Sequence, residues 1–278
     1  MGREKDAETR RYVATVVLVA LLASVLNTAG GLIFNSRLLI VNGLTCIANF
    51  LVAIANVYFY RRQLEPEDID HPMGHAGYSL SASVTTLLVY AFVLGLGIDE
   101  VLNPSSYSVS GSAWIVPLVV ALMYSASVLM SRRLSGGFLV YSNVTTSEIA
   151  ESLVALVALP LAHAFSFEID RAAAAGMLSY LAYQVAINSK GVIYKVTGPA
   201  PPPKVYSGLL NDVKSLGVKV KDLKLRSVGD NYVSGYIVVE VPPAESVKAA
   251  HELADRIESL ALTKYNMRLV VHVEPEET

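Results

Sequence analysis

Two long uncharged stretches of this 278-residue chain carry polar side chains at helical spacing. In the first, Asn42, Asn49 and Asn56 recur every seven residues and so share one face of a helix, with Thr45 beside them. In the second, Glu148 and Glu151 stand one turn apart, and Ser147 and Glu151 are four apart on one face. An ionisable residue at mid-bilayer costs about 2.5–3.5 kcal/mol on insertion scales. A carboxylate kept there, level with an amide on another helix, points to a cation or proton site. Asn and Thr also hydrogen-bond across helices for packing alone. Packing and function stand level for Asn42 and Asn56. Depth favours function for Asn49, because Asn49 and Glu151 both fall roughly 16–20 Å along their helices at 1.5 Å per residue.

A second constellation lies in "EPEDIDHPMGHAGY" at residues 65–78. Asp68, His71 and His75 supply one carboxylate and two imidazoles, the donor set of a zinc-type site with an open or shared position. Glu65, Glu67 and Asp70 would raise the local cation concentration by long-range attraction. The plainer alternative is a solvated acidic loop whose histidines are idle.

The elements that must hold these groups follow from hydropathy. The chain is 53% hydrophobic and 17% charged, with a mean hydropathy of +0.45. Residues 12–36, 38–60, 79–98, 101–131 and 172–189 contain no Asp, Glu, Lys or Arg. With a further apolar segment near 138–165, broken by Glu148 and Glu151, they predict six membrane spans near 12–34, 38–60, 79–98, 112–131, 138–165 and 171–194. Arg3, Lys5, Arg10, Arg11, Arg61, Arg62, Arg132, Arg133, Lys190 and Lys195 fall on one side, against Arg37 and Arg171 on the other. The bias predicts a multi-pass protein of the plasma membrane with both termini and the acidic loop in the cytoplasm.

"TGPAPPP" at 197–203 reads as a linker. The expected division is a membrane domain over 1–200 and a soluble domain over 201–278. In the latter, "VKVKDLKLRSV" and "YVSGYIVVEV" alternate like half-buried strands, and Val247, Ala250, Leu253, Ile257 and Leu260 repeat at helical spacing. The order is αββαβ, a small α+β sheet domain, marginal alone and suited to pairing with a second copy. Net charge is −2, which gives no reason to expect nucleic acid. Cys46 is the only cysteine, so neither an internal disulfide nor a cysteine-rich zinc cluster can form. No HExxH or GxSxG occurs, which speaks against an enzyme.

Six spans, an acidic His loop after the second, and an αββαβ tail together resemble the cation diffusion facilitator family. The most specific match is "D-x-x-H-x-x-G-H", present as Asp68, His71, Gly74 and His75. The tail matches more loosely through Ala250, His251, Ala254 and Asp255, and through His272, Glu274 and Pro275. The resemblance implies a homodimeric exporter of divalent metal cations, exchanging them for protons, with a metallochaperone-like tail. It implies a transport site at Thr45, Asn49, Ser147 and Glu151, with Glu148 as a further carboxylate, and cytoplasmic metal sites at Asp68, His71 and His75 and at His251, His272 and Glu274.

The transport positions depart from the family's usual Asp and His. Thr45, Asn49, Ser147 and Glu151 offer oxygen only, which suits Mg²⁺, Mn²⁺ or Ca²⁺ better than zinc. Zn²⁺ fits the cytoplasmic sites, and Mn²⁺, Fe²⁺, Co²⁺ or Mg²⁺ is the expected cargo. Three readings follow: a hard-cation transporter, a zinc-family exporter of altered specificity, or a non-transporting, membrane-anchored metal-sensing or interaction protein. The carboxylate pair argues against the last, since pure decay would sooner leave apolar residues there.

Overall fold

The computed structural model describes residues 2–103, 105–131, 139–228 and 232–276. Six helices come first: α1 (Gly2–Phe34), α2 (Arg37–Gln63), α3 (Tyr78–Leu102), α4 (Ile115–Ser131), α5 (Leu139–Ala164) and α6 (Phe167–Val196). Then come α7 (Pro203–Lys214), β1 (Lys219–Val228), β2 (Tyr232–Val241), α8 (Val247–Tyr265) and β3 (Met267–Pro275). Two compact units result, one of Met1–Tyr58 with Thr85–Asn188, the other of Phe59–Val84 with Ser189–Thr278.

Among the described residues, four helices are long and apolar enough to cross a membrane: Val17–Phe34, Arg37–Gln63, Tyr78–Leu102 and Ser147–Ala164. The two other expected spans are helices of a different make. Among the described residues the fourth is apolar over Ile115–Leu129, and Ser110 and Ser112 take part in turns ahead of it. The sixth runs 30 residues, but Glu168, Asp170 and Arg171 open it and Ser, Tyr, Gln and Asn dilute its middle.

In the first unit, Asn35 has a left-handed backbone (φ 56°) and ends α1. Ser36 then starts α2, its Oγ accepting from Leu39 N at 3.1 Å. The α2 N-terminus is also capped from α6. Asp170, fully buried, accepts from Arg37 N at 2.8 Å and Leu38 N at 3.3 Å, a carboxylate set against the positive end of a helix. Ser36 Oγ (2.6 Å) and Tyr107 OH (2.9 Å) also donate to it. Burial, and then the Asp170 charge, push the Tyr107 phenol up. Arg37 pairs with Glu100, and Arg171 donates to the carbonyls of Asn103 and Ser105. Gly43 lets α1 and α2 approach closely: a Cβ there would lie 2.8 Å from the Thr28 backbone nitrogen.

In the second unit, the sheet order is β1-β2-β3. β1 pairs antiparallel with β2, and β2 pairs parallel with β3 through the α8 crossover. Apolar residues alternate as the sequence predicts. Leu223 and Leu225, Ile237 and Val239, and Met267 and Leu269 pack with Leu209 and Val213 of α7 and with Leu253 and Ile257 of α8. Ser246 caps α8 by accepting from Ala249 N, and Asn266 (φ 50°) ends it.

Two predictions arise here. A Cβ on Gly235 would sit 2.1 Å from the Lys224 carbonyl oxygen on β1. Gly235→Ala is therefore expected to destabilise the β1–β2 pair by roughly 1–3 kcal/mol. Hydrogen exchange of the β1 and β2 amides in the full chain reads this as faster exchange, and unchanged protection would refute it. Asp212 joins α7 to α8 by accepting from Lys264 Nζ and Tyr265 OH, both at 2.6 Å. The Lys264 and then the Tyr265 hydrogen bond hold its carboxyl below the usual carboxylate range. A group depressed on folding contributes stability above its unfolded pKa and loses it as pH falls through the folded one. Protection of α7 amides is thus expected to fall at pH below the usual carboxylate range, and to show a weaker dependence there in Asp212→Asn.

Candidate metal centres in the spans and in the loop

The middle of α2 meets the middle of α5. Asn49 is thirteenth of the 27 residues of α2, and Glu151 is thirteenth of the 26 of α5. Asn49 Nδ2 donates to Glu148 Oε1, and Asn49 Oδ1 accepts from Tyr90 OH of α3. Thr45 Oγ1 donates to the Asn42 carbonyl at 2.8 Å and lies 3.3 Å from Glu151 Oε2. Both carboxylates therefore reach α2. Glu148 is the deeper, 2% exposed, while Glu151 is half-buried. Ser147, half-buried, precedes them on α5, and Asn56 is exposed on α2.

The same α2 face carries a residue that hydropathy counts as apolar. Cys46 follows Asn42 by four positions and precedes Asn49 by three. Its Sγ is fully buried and lies 3.3 Å from Glu148 Oε2. Asn27 Nδ2 of α1 is 3.6 Å away and Tyr124 OH of α4 is 3.7 Å away. Asn27, Tyr90 and Tyr124 complete a polar set around Cys46 and Asn49, and nothing in their local sequence singles them out. The one available signal was helical spacing, which places Cys46 on the Asn42–Thr45–Asn49 stripe.

In the second unit, Asp68, His71 and His75 bring one ligand atom each within 4.8 Å of one another, and no other such trio of His, Cys, Asp or Glu occurs among the described residues. Asp68 Oδ1 accepts from His71 N at 2.6 Å and lies 3.2 Å from His71 Nδ1. Asp68 Oδ2 lies 3.4 Å from His75 Nε2. The His71 backbone N–H holds the Asp68 carboxyl below its usual range, which keeps it a charged ligand. Gly74, at φ 83°, turns the backbone so that both rings fall on one side, with centroids 4.4 Å apart. Neither ring nitrogen of His75 makes a hydrogen bond, although the residue is buried. A buried imidazole with no hydrogen-bond partner, beside a second imidazole and an ionised carboxylate, fits a divalent cation.

The tail residues stand apart. His251 on α8 lies 3.6 Å from Asp255, and His272 on β3 lies 3.4 Å from Glu274, which also binds Lys221 at 2.7 Å. Both histidines are exposed.

Four helices apolar enough to cross a membrane, joined through buried polar side chains and followed by a small α/β domain, are the architecture of a multi-helix membrane protein. The chain belongs to the cation efflux, or cation diffusion facilitator, family. Residues 13–190 match the cation efflux transmembrane domain, and residues 201–276 match the cytoplasmic domain of cation efflux proteins. It is also similar to a Bacillus subtilis (strain 168) protein named "Uncharacterized transporter YdbO", at 21% identity over 281 aligned positions that cover 94% of this chain and 93% of that one.

Proposed function

We propose that the protein exports divalent metal cations from the cytoplasm in exchange for protons, as a homodimer in the plasma membrane with both termini inside. In this reading residues 1–200 form the membrane domain and 201–278 the cytoplasmic one. The observation that carries it is the contact of Glu148 with Asn49, and of Glu151 with Thr45, at the midpoints of α2 and α5. Two carboxylates buried together repel unless a cation or a proton lies between them. A site that exchanges one for the other stays compensated in both states. That is the physical basis for coupling metal export to proton entry.

The loop residues Asp68, His71 and His75 would hold a zinc-type ion on the cytoplasmic side, with Glu65, Glu67 and Asp70 raising the local cation concentration. In the tail, His272 lies beside Glu274, and among the described residues His251 does not join them in a three-ligand cluster. They are candidates for metal binding between two tails of a dimer, which would pull the copies together.

The test is influx into proteoliposomes for Zn²⁺, Cd²⁺, Mn²⁺, Co²⁺, Fe²⁺, Mg²⁺ and Ca²⁺, with and without a pH gradient. The expected result is metal flux that rises when protons can run the other way. Absence of flux for every ion, with metal still bound by the loop, would leave a membrane-anchored sensing protein instead.

A further inference from the structure

The turn that carries Asp68, His71 and His75 is held at both ends. At one end the His75 carbonyl accepts from Tyr78 N at 3.1 Å. The Tyr78 ring stacks on the His75 ring, with centroids 5.7 Å apart and planes 14° apart. That end is thereby fixed to the first turn of α3. The other end is held by the tail. Arg268 Nη1 donates to Glu67 Oε1 and, at 3.4 Å, to the Pro72 carbonyl. Glu67 directly precedes Asp68, and Pro72 directly follows His71. One guanidinium therefore spans the stretch that presents two of the three ligands.

The tail fixes where Arg268 stands. It sits on β3 opposite Ser234 of β2, between Met267 and Leu269, both buried in the tail core. Side chains alternate across a strand, so Arg268 points to the face away from that core. Val270, His272 and Glu274 share this face by the same alternation. The face of β3 that grips the loop thus also carries His272 and Glu274.

We infer that Arg268 is a positioning residue of the loop site, and that through it metal occupancy of the loop and the order of β3 are linked. The inference rests on the metal reading of Asp68, His71 and His75. Linkage is reciprocal: a grip that favours the ligand geometry is itself strengthened by the bound ion. The sign of the effect separates this role from plain electrostatics. A guanidinium near a cation site repels the ion, so by charge alone its removal would tighten metal binding. Removal of a positioning residue weakens binding instead. Exposed ion pairs contribute modestly, so the expected loss is about threefold to fivefold in affinity.

The test is calorimetric titration of the purified full-length protein with Zn²⁺, the loop component being the one lost in His71→Ala/His75→Ala. Arg268→Ala is expected to weaken that component by the stated factor. Arg268→Lys, which keeps a charged donor, should fall between Arg268→Ala and wild type. Hydrogen exchange gives a second readout. Zn²⁺ should slow exchange of the amides over 267–271 in wild type, and do so neither in Arg268→Ala nor in His71→Ala/His75→Ala. Equal or tighter loop binding in Arg268→Ala overturns the role of Arg268. So does a wild type whose loop binds Zn²⁺ with no protection of β3, a result that needs no variant to fold. A wild type with no component dependent on His71 and His75 overturns the metal reading of the loop itself.

Discussion

Glu148→Gln is expected to abolish metal flux. The substitution keeps the size of the side chain and can still meet Asn49, but it removes the buried charge. A divalent cation in the site would then face one carboxylate, Glu151, instead of two, a loss expected to be on the order of a hundredfold or more in affinity, about 3 kcal/mol. Glu148 is the group that touches both Asn49 and Cys46, so its loss affects both ends of the α2 stripe. Glu151→Gln is expected to lower flux less, because that carboxylate meets α2 through Thr45 and is only half-buried. Initial rates of metal influx into proteoliposomes, at matched protein content, separate the two. Equal flux in Glu148→Gln and wild type would refute the role given to Glu148.

The second large effect is structural. Asp170→Ala is expected to destabilise the membrane unit by about 3–5 kcal/mol, since four donors lose one buried acceptor. Those donors are the backbone nitrogens of Arg37 and Leu38 and the hydroxyls of Ser36 and Tyr107. They start α2, the helix that presents Thr45, Cys46 and Asn49. Loss of the cap is expected to lower the thermal midpoint in detergent, with Asp170→Asn falling between wild type and Asp170→Ala because its amide oxygen still accepts. An unchanged midpoint in Asp170→Ala would show that the four donors find other partners.

The parts of this protein that are legible from sequence are those where one physical period dominates. The strands β1 and β2 show alternation, and their ends match the structure to within a residue. The grouping of Asp68, His71 and His75 is legible because the three side chains fall within eight residues, so local turns suffice to bring them together. The spans are legible where hydropathy is high, and α6 (Phe167–Val196) is read near 171–194 from its uncharged stretch although its middle is polar. The contacts across helices were only partly readable. The stripe of Asn42, Thr45 and Asn49 announces itself by polarity, but Cys46 on the same face counts as apolar in any hydropathy scheme. Tyr90 reaches Asn49, and Tyr124 and Asn27 reach Cys46, from three other helices, and pairing among helices is decided by packing over the whole bundle. Asp170 reads as a charge at a helix start, and only the fold shows that it caps a different helix.

The most direct test of where the ion passes compares three proteins in one flux assay: wild type, Glu148→Gln, and a loop variant with Asp68, His71 and His75 all changed to Ala. If α2 and α5 hold the pathway, the loop variant keeps measurable flux, with a weaker response at low metal, and Glu148→Gln has none. Flux preserved in Glu148→Gln and lost in the loop variant would contradict that, and would place the essential ion in the loop.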